Sequence, residues 1–277
     1  MGLRINTNVS SLSAQRALGI TKNNLDSNLR KLSSGERITR AGDDAAGLAI
    51  SEKLKSNIRS LRQAKRNSDD GISLIQTAEG GINEISNILI RLRELSIQSA
   101  SDTVGDQERG FSNIEFKNLL EEMQRISQSS EFNGRKLLDG SGGLVEIQIG
   151  IHNDPTNDRV KYDGSSTDTT LENLGLAGET IASKEGAQLS LSKLDDAMVR
   201  INGTRANLGA LQNRLQSAGN SIAIAEENLS AANSRIRDVD VAAETADMAK
   251  NNILSQAGVS VLSQANQTPN LALKLLA

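Results

Sequence analysis

From Leu194 to Ile253 the apolar residues recur with unusual regularity. Leu194, Ile201, Leu208, Leu215, Ile222, Leu229 and Ile236 fall every seven positions, and Ala197, Leu211, Ala218, Ala225, Ala232, Val239, Ala246 and Ile253 fill most of a second row three places on. Two such rows make one continuous stripe on a helix. At ~1.5 Å per residue, roughly 50 helical residues reach about 75 Å, several times the width of a small core. The pattern predicts a long helix that lies along something equally long.

The same periodicity marks the first half of the chain. From Val9 to Ser33, Leu18, Leu25 and Leu32 stand at sevens with Leu29 between them, and Asn8 or Ser10 can cap the start. Ser33-Ser34-Gly35 ends this helix, and the glycine-bounded Glu36 to Gly42 reads as a connector. Asp43 and Asp44 sit where a helix start wants acceptors and negative charge. A second helix runs from Ala45 to about Ala100, with Leu54, Leu61, Ile75, Ile82 and Leu89 in one row and Ile50, Ala64, Ala78, Ile85 and Leu92 in another. Ser68 and Gly71 interrupt these rows. A helical glycine costs roughly 1 kcal/mol, which predicts a bend or a close helix neighbour near Gly71. After Thr103-Val104-Gly105, with Asp106 as cap, a third helix carries Phe116, Leu119, Met123 and Ile126, and Phe132-Asn133-Gly134 stops it.

Between Gly140 and Gly186 the character changes. Val145, Ile147, Ile149 and Ile151 alternate with polar residues or glycine, and a turn-rich loop from His152 to Asp158 leads to Val160-Lys161-Tyr162, the pattern of one β-hairpin. The Ser/Thr/Gly-rich remainder reads as a surface loop entering the C-terminal helix. Gly258, Pro269 and the tail Leu271 to Ala277 close the chain. The fold class is therefore mainly α: a long antiparallel coiled-coil-like helical bundle built from both termini, with one small β-hairpin region. The two termini meet at one end.

Composition supports stripes over a thick core. Of 277 residues 37 % are hydrophobic, yet there is no Trp, one Tyr and three Phe, so the groups that fill a globular centre are missing. Such a rod has too little core of its own, which points to an assembling structural protein. The formal net charge of -3 favours neither nucleic acid nor a membrane surface as partner. With no cysteine and one histidine, His152, disulfides, thiolate sites and histidine clusters are excluded. No apolar segment has the length of a signal peptide or a membrane span, so export, if it occurs, proceeds without a cleaved signal.

The candidate chemical sites yield to plainer readings. Gly42 to Gly47 has the glycine spacing of a phosphate loop, but Leu48 stands where the lysine belongs and two carboxylates would repel phosphate. Asp43 and Asp44 have no second ligand set or nucleophile beside them, so helix capping accounts for them. Arg59, Arg62, Lys65 and Arg66 form a basic helix face without stacking aromatics, a solvated or subunit-contact surface. No enzyme, metal or cofactor is expected.

Several motifs are recognisable. Leu32-Ser33-Ser34-Gly35-Glu36-Arg37-Ile38 followed by Ala41 to Ser51 resembles the N-terminal signature of bacterial flagellin, and Asp70 to Gly80, Phe132-Asn133-Gly134, Leu208 to Arg214 and Gln256 to Gln267 are similar to further motifs of that family, in order. Ile147-Gln148-Ile149-Gly150 resembles its hairpin. The resemblance implies a flagellar filament subunit, exported through the flagellar type III apparatus and polymerising beneath a cap at the tip. The expected partners are other copies of the chain, an export chaperone, and hook-filament junction and cap proteins. It also implies an inner domain of residues 1–42 with 242–277, disordered in the free subunit. A helical rod domain of 43–139 with 187–241 follows, and 140–186 is hairpin and short surface loop. The expected self-assembly seams are Leu18, Leu25, Leu29, Leu32, Val239, Ile253, Leu262, Leu271 and Leu275. Finally, Arg91 to Ser99 and Glu115 resemble the flagellin surface bound by a vertebrate Toll-like receptor, with Arg91, Leu95, Gln98 and Glu115 as contacts; a helix face packed on a neighbouring subunit is the plainer reading.

Overall fold

The computed structural model describes residues 7–274, with side chains as far as Gln267. In chain order it comprises α1 (Val9–Ser34), α2 (Ala45–Ser99), α3 (Asp106–Ser129), β1 (Glu131–Phe132), β2 (Arg135–Lys136), β3 (Leu144–Gln148), β4 (Arg159–Asp163), α4 (Leu171–Leu174), α5 (Lys184–Arg237) and α6 (Val241–Lys274). The chain divides into two compact units, Met1–Asn57 with Asn228–Ala277, and Ile58–Glu227. The fold is mainly helical, with small antiparallel strand pairs.

The central unit, Ile58–Glu227, holds the large core. The row of sevens on α5 lies inward, with Leu194, Ile201, Leu208, Leu215 and Ile222 all buried. All of these but Ile222 join Ile75, Ile82, Leu89 and Leu92 of α2 and Phe116, Leu120 and Met123 of α3. Ser68 and Gly71 do not break the α2 stripe but belong to it. Ser68 is fully buried, and Gly71 makes a close approach, though chiefly to a strand: a Cβ there would lie 2.7 Å from Ile147 Cδ1 of β3 and 3.1 Å from Leu215 Cδ1.

α3 begins differently from expectation. Gly105, which has no side chain to cap with, occupies the cap position, and the Asp106 carboxylate instead accepts from Arg109 at 2.7 Å. Phe132-Asn133-Gly134 does more than stop α3. With φ of 50° at Asn133 and 75° at Gly134, the pair makes the left-handed turn of a second tiny hairpin, β1–β2. β3 and β4 pair antiparallel, Val145 opposite Tyr162 and Ile147 opposite Val160.

The segment after β4 is not the surface loop its composition suggests. Thr167, Thr169, Leu174, Leu176 and Ile181 are all buried. The Thr167 hydroxyl donates to the Leu137 carbonyl at 2.7 Å and Thr169 Oγ1 to the Leu138 carbonyl at 3.2 Å, so the polar residues enter the core already paired.

The terminal unit pairs α1 antiparallel with α6. Asn8 Nδ2 donates to the Ala265 carbonyl at 2.7 Å, Ser11 Oγ to Asn266 Oδ1 at 2.7 Å, and Lys31 lies 3.4 Å from Glu244. The long C-terminal helix read from the sequence is interrupted at Asp238-Val239-Asp240, and α6 starts anew with the Asp240 carboxylate accepting from the Ala242 and Ala243 N–H groups. It then continues through Gly258.

Candidate functional site

The interruption resets the helical phase, and this decides which residues of α6 face α1. The residues of α6 turned inward are Glu244, Met248, Asn251, Ser255, Gly258, Leu262 and Ala265, spaced alternately by three and four. On α1 the matching set is Ser11, Ala14, Leu18, Thr21, Leu25, Asn28 and Leu32. The row that runs on from α5 through Val239 and Ile253 is not this seam: Val239 lies in the interruption, and Ile253 is 67 % exposed. A heptad cannot keep its phase across residues that leave the helix.

The seam mixes Leu18, Leu25, Leu32, Met248 and Leu262 with small and polar residues. Gly258 lets α1 come close, since a Cβ there would meet Leu18 Cδ1 at 3.2 Å. Further large aliphatics lie on exposed faces: Val9, Leu12, Ile20 and Leu29 on α1, and Val241, Ile253, Leu254, Val259 and Val261 on α6. Of the expected assembly residues, Leu18, Leu25, Leu32 and Leu262 are half-buried in the α1–α6 seam, whereas Leu29 and Ile253 are exposed. Leu275 lies outside the described residues, and Leu271 beyond the described side chains.

A charged clasp closes this unit. Gly35, in the left-handed region at φ 71°, ends α1 and turns the connector against the α5–α6 interruption. There the Arg37 N–H donates to the Arg237 carbonyl at 2.6 Å, the Val239 N–H donates to the Gly35 carbonyl at 3.0 Å, and the Arg37 Nη2 caps the Ile236 carbonyl at 2.6 Å. The Arg237 guanidinium reaches two carboxylates at once. Nη2 donates to Glu36 Oε2 at 3.1 Å, Nε lies 2.8 Å from Glu36 Oε1 in a contact that is electrostatic rather than directed, and Nη1 donates to Glu52 of α2. Bonds to Glu52 and then Glu36 raise the Arg237 pKa further above its ordinary value. Nothing in the sequence marks this cluster, because Arg237 stands 201 residues from Glu36 and 185 from Glu52.

The connector itself is fastened by Ile38, which is 1 % exposed, and by Asp43. Asp43 Oδ2 accepts from the Thr39 N–H, the Thr39 hydroxyl and the Arg40 N–H at 3.0, 2.9 and 3.0 Å. Asp44 caps α2 through the Gly47 N–H at 2.8 Å. Gly47 leaves room for Ile38, whose Cδ1 would lie 2.8 Å from a Cβ at that position, so the paired aspartates and their glycine are local architecture.

On the central unit, Arg91 pairs with Glu94 at 3.0 Å and Glu115 at 2.9 Å, and these bonds raise its pKa. Arg91, Gln98 and Glu115 are exposed. Leu95 is not: at 2 % exposure it belongs to the core, and it supports this surface from beneath. Among the described residues no group of three or more His, Cys, Asp or Glu is placed to hold a metal ion, and no helix is long and apolar enough to cross a membrane.

The geometry defines a helical structural subunit with unsatisfied aliphatic faces on its terminal helices. Comparison with known proteins agrees: the profile of the bacterial flagellin N-terminal helical region matches residues 5–142, and that of the C-terminal helical region matches residues 191–276. The chain is 45 % identical over 272 residues to flagellin of Halalkalibacterium halodurans, covering 98 % of this chain and 99 % of the relative. It is 45 % identical over 284 residues to the flagellar filament 30.7 kDa core protein of Treponema maltophilum, with the same coverage. Among solved structures, Bacillus cereus flagellin superposes with a TM-score of 0.51 at 30 % identity, covering 57 % of this chain and 88 % of that one. The chain belongs to the bacterial flagellin family, structural proteins of the flagellar filament.

Proposed function

We propose that the chain polymerises with itself into a helical tubular filament for motility, through the exposed aliphatic faces of α1 and α6. The observation that carries this reading is that the terminal helix pair leaves Leu12, Ile20, Ile253 and Val259 exposed, while its own seam mixes a few leucines with small and polar residues. At about 25 cal/mol per Å² of apolar surface removed from water, packing these faces against other copies is a favourable step that the single chain leaves undone. Residues 1–42 with 242–277 form the proposed inner domain. Export through the type III apparatus, an export chaperone, and the junction and cap proteins are the partners that membership of the family suggests.

Electron microscopy after adding a precipitating salt or filament seeds tests the reading, beside a copy lacking residues 1–42 and 242–277. Long filaments from the intact chain alone are expected. An intact chain that stops at rings or stubs moves it to the junction position between hook and filament.

A second role is proposed for the free subunit, recognition by a vertebrate Toll-like receptor through Arg91, Gln98 and Glu115, all exposed on α2 and α3, with Arg91 and Glu115 paired. Receptor activation by an Arg91→Ala, Glu115→Ala variant decides it, and undiminished activation rejects it. Leu95 is left intact in that test, because its truncation would probe the core instead.

A further inference from the structure

We infer that Arg237 is a register clasp: by holding Glu36 and Glu52 together it determines which turn of α1 faces which turn of α6. It thereby aligns the outward aliphatic side chains that meet another copy. The inference rests on the assembly reading for its purpose but not for its test.

The need for such a device follows from the seam. Leu18, Leu25 and Leu32 repeat at sevens, and opposite them α6 offers small or polar residues, among them Asn251, Ser255, Gly258 and Ala265. A slip of one heptad, about 10 Å along the helix, would place Leu25 opposite Gly258 and leave much of the apolar contact equivalent. Register therefore depends on contacts that do not repeat. At the open end these are Asn8 with Ala265 and Ser11 with Asn266, both single bonds. At the closed end Lys31 lies 3.4 Å from Glu244, and two residues beyond the last turn of α1 Glu36 is held by the Arg237 fork and by a backbone bridge to Asp238. The Gly35 carbonyl is also tied to the Val239 N–H at 3.0 Å.

Charge-assisted paired bonds at a side chain only 14 % exposed outweigh single neutral bonds near a fraying end. Glu52 then ties the fork to the first turns of α2, so the connector cannot slide without breaking both carboxylate contacts.

The absence of cysteine makes the test direct. A Cβ at Gly258 would lie 3.9 Å from Leu18 Cβ, within disulfide range, so the full chain carrying Leu18→Cys with Gly258→Cys reports the native register. Leu25→Cys with Gly258→Cys reports the slipped one. The ratio of the two intrachain disulfides after mild oxidation is the readout, taken on the unpolymerised chain at an osmolyte concentration where far-ultraviolet circular dichroism shows the terminal helices formed, so failure to form filaments is scored separately.

The parent is expected to favour the 18–258 link. Arg237→Ala should lower the ratio by roughly tenfold, the equivalent of one charged hydrogen bond. The Glu36→Gln, Glu52→Gln pair, which keeps the shapes, should do the same. Arg237→Lys should restore part of the preference, since an ammonium is a point charge without the guanidinium fork. Arg235→Ala removes a like charge on the far side of the same turn and should change nothing. An unchanged ratio in Arg237→Ala, an equal fall in Arg235→Ala, or no preference for the 18–258 link in the parent overturns the proposal. Far-ultraviolet circular dichroism confirms in each variant that the helices persist.

Discussion

The hydroxyl of Ser68 on α2 donates to the backbone carbonyl of Leu215 on α5 at 2.9 Å, between two helices that bury both residues completely. Leu215 lies on the row of sevens, and Ser68 is the polar residue in the facing stripe. Replacing Ser68 by Ala removes the bond and should cost about 1 kcal/mol, whereas Ser68→Leu should cost more by overpacking the contact. Chemical denaturation of the full chain separates the two. A Ser68→Leu variant as stable as the parent would mean that the site has spare room.

Gly71 tests the same neighbourhood from the backbone side. On an exposed helix Gly→Ala gains about 1 kcal/mol. Here the new methyl would stand 2.7 Å from Ile147 Cδ1, so the substitution should destabilise. Ile147→Val removes that atom. The double variant should therefore show a coupling on the order of 1 kcal/mol in a double-mutant cycle. Simple additivity would contradict the contact.

Arg109 is a cation enclosed by the turn that precedes α3. It donates to the carbonyls of Ser99 and Ser101, both at 2.9 Å, and to Asp106. Arg109→Ala leaves those carbonyls without their donor and should cost about 2–4 kcal/mol. Arg109→Lys should recover only part, having no fork with which to reach both carbonyls. Thermal unfolding gives the order: parent above Lys above Ala.

Asp43 makes the connector sensitive to acid. The Thr39 hydroxyl, then the Thr39 and Arg40 N–H groups, hold its pKa below the ordinary carboxylate value. A group depressed in the folded state contributes stability above its unfolded pKa and loses that contribution as pH falls through the folded value. Amide exchange at Thr39 and Arg40, corrected for intrinsic rates, should therefore show less protection in Asp43→Asn than in the parent near neutrality. The two should converge in strong acid. Equal protection near neutrality would remove Asp43 from this role.

Periodicity made α5 legible, because Leu194 to Ile222 pack against a continuous apolar partner and the stripe alone specifies the face. It misled on α6. Ile253 keeps the sevens of α5, but Asp240 caps a new helix and the inward face passes to Asn251, Ser255 and Gly258, residues with no apolar signal. The 164–186 segment was obscured in another way: Thr167 and Thr169 look like surface residues until the carbonyls of Leu137 and Leu138 are seen to satisfy them. The two-residue strands β1 and β2 are too short for any alternation to register. Leu95 shows the limit for the receptor surface, since a motif names neighbours in sequence while the helix turns one of them into the core. The family motifs themselves were readable throughout, and the Arg237 clasp was not, its partners being distant in sequence.

The pair of α1 and α6 has a thermodynamic corollary. Helices that dilute a few seam leucines with serine, asparagine and glycine, and turn isoleucine and valine to solvent, draw limited cohesion from each other. If the exposed faces pack on other copies as proposed, the order of these helices obeys mass action. The melting of these segments should depend on protein concentration, while the core around Leu194 and Phe116 melts at a temperature indifferent to dilution.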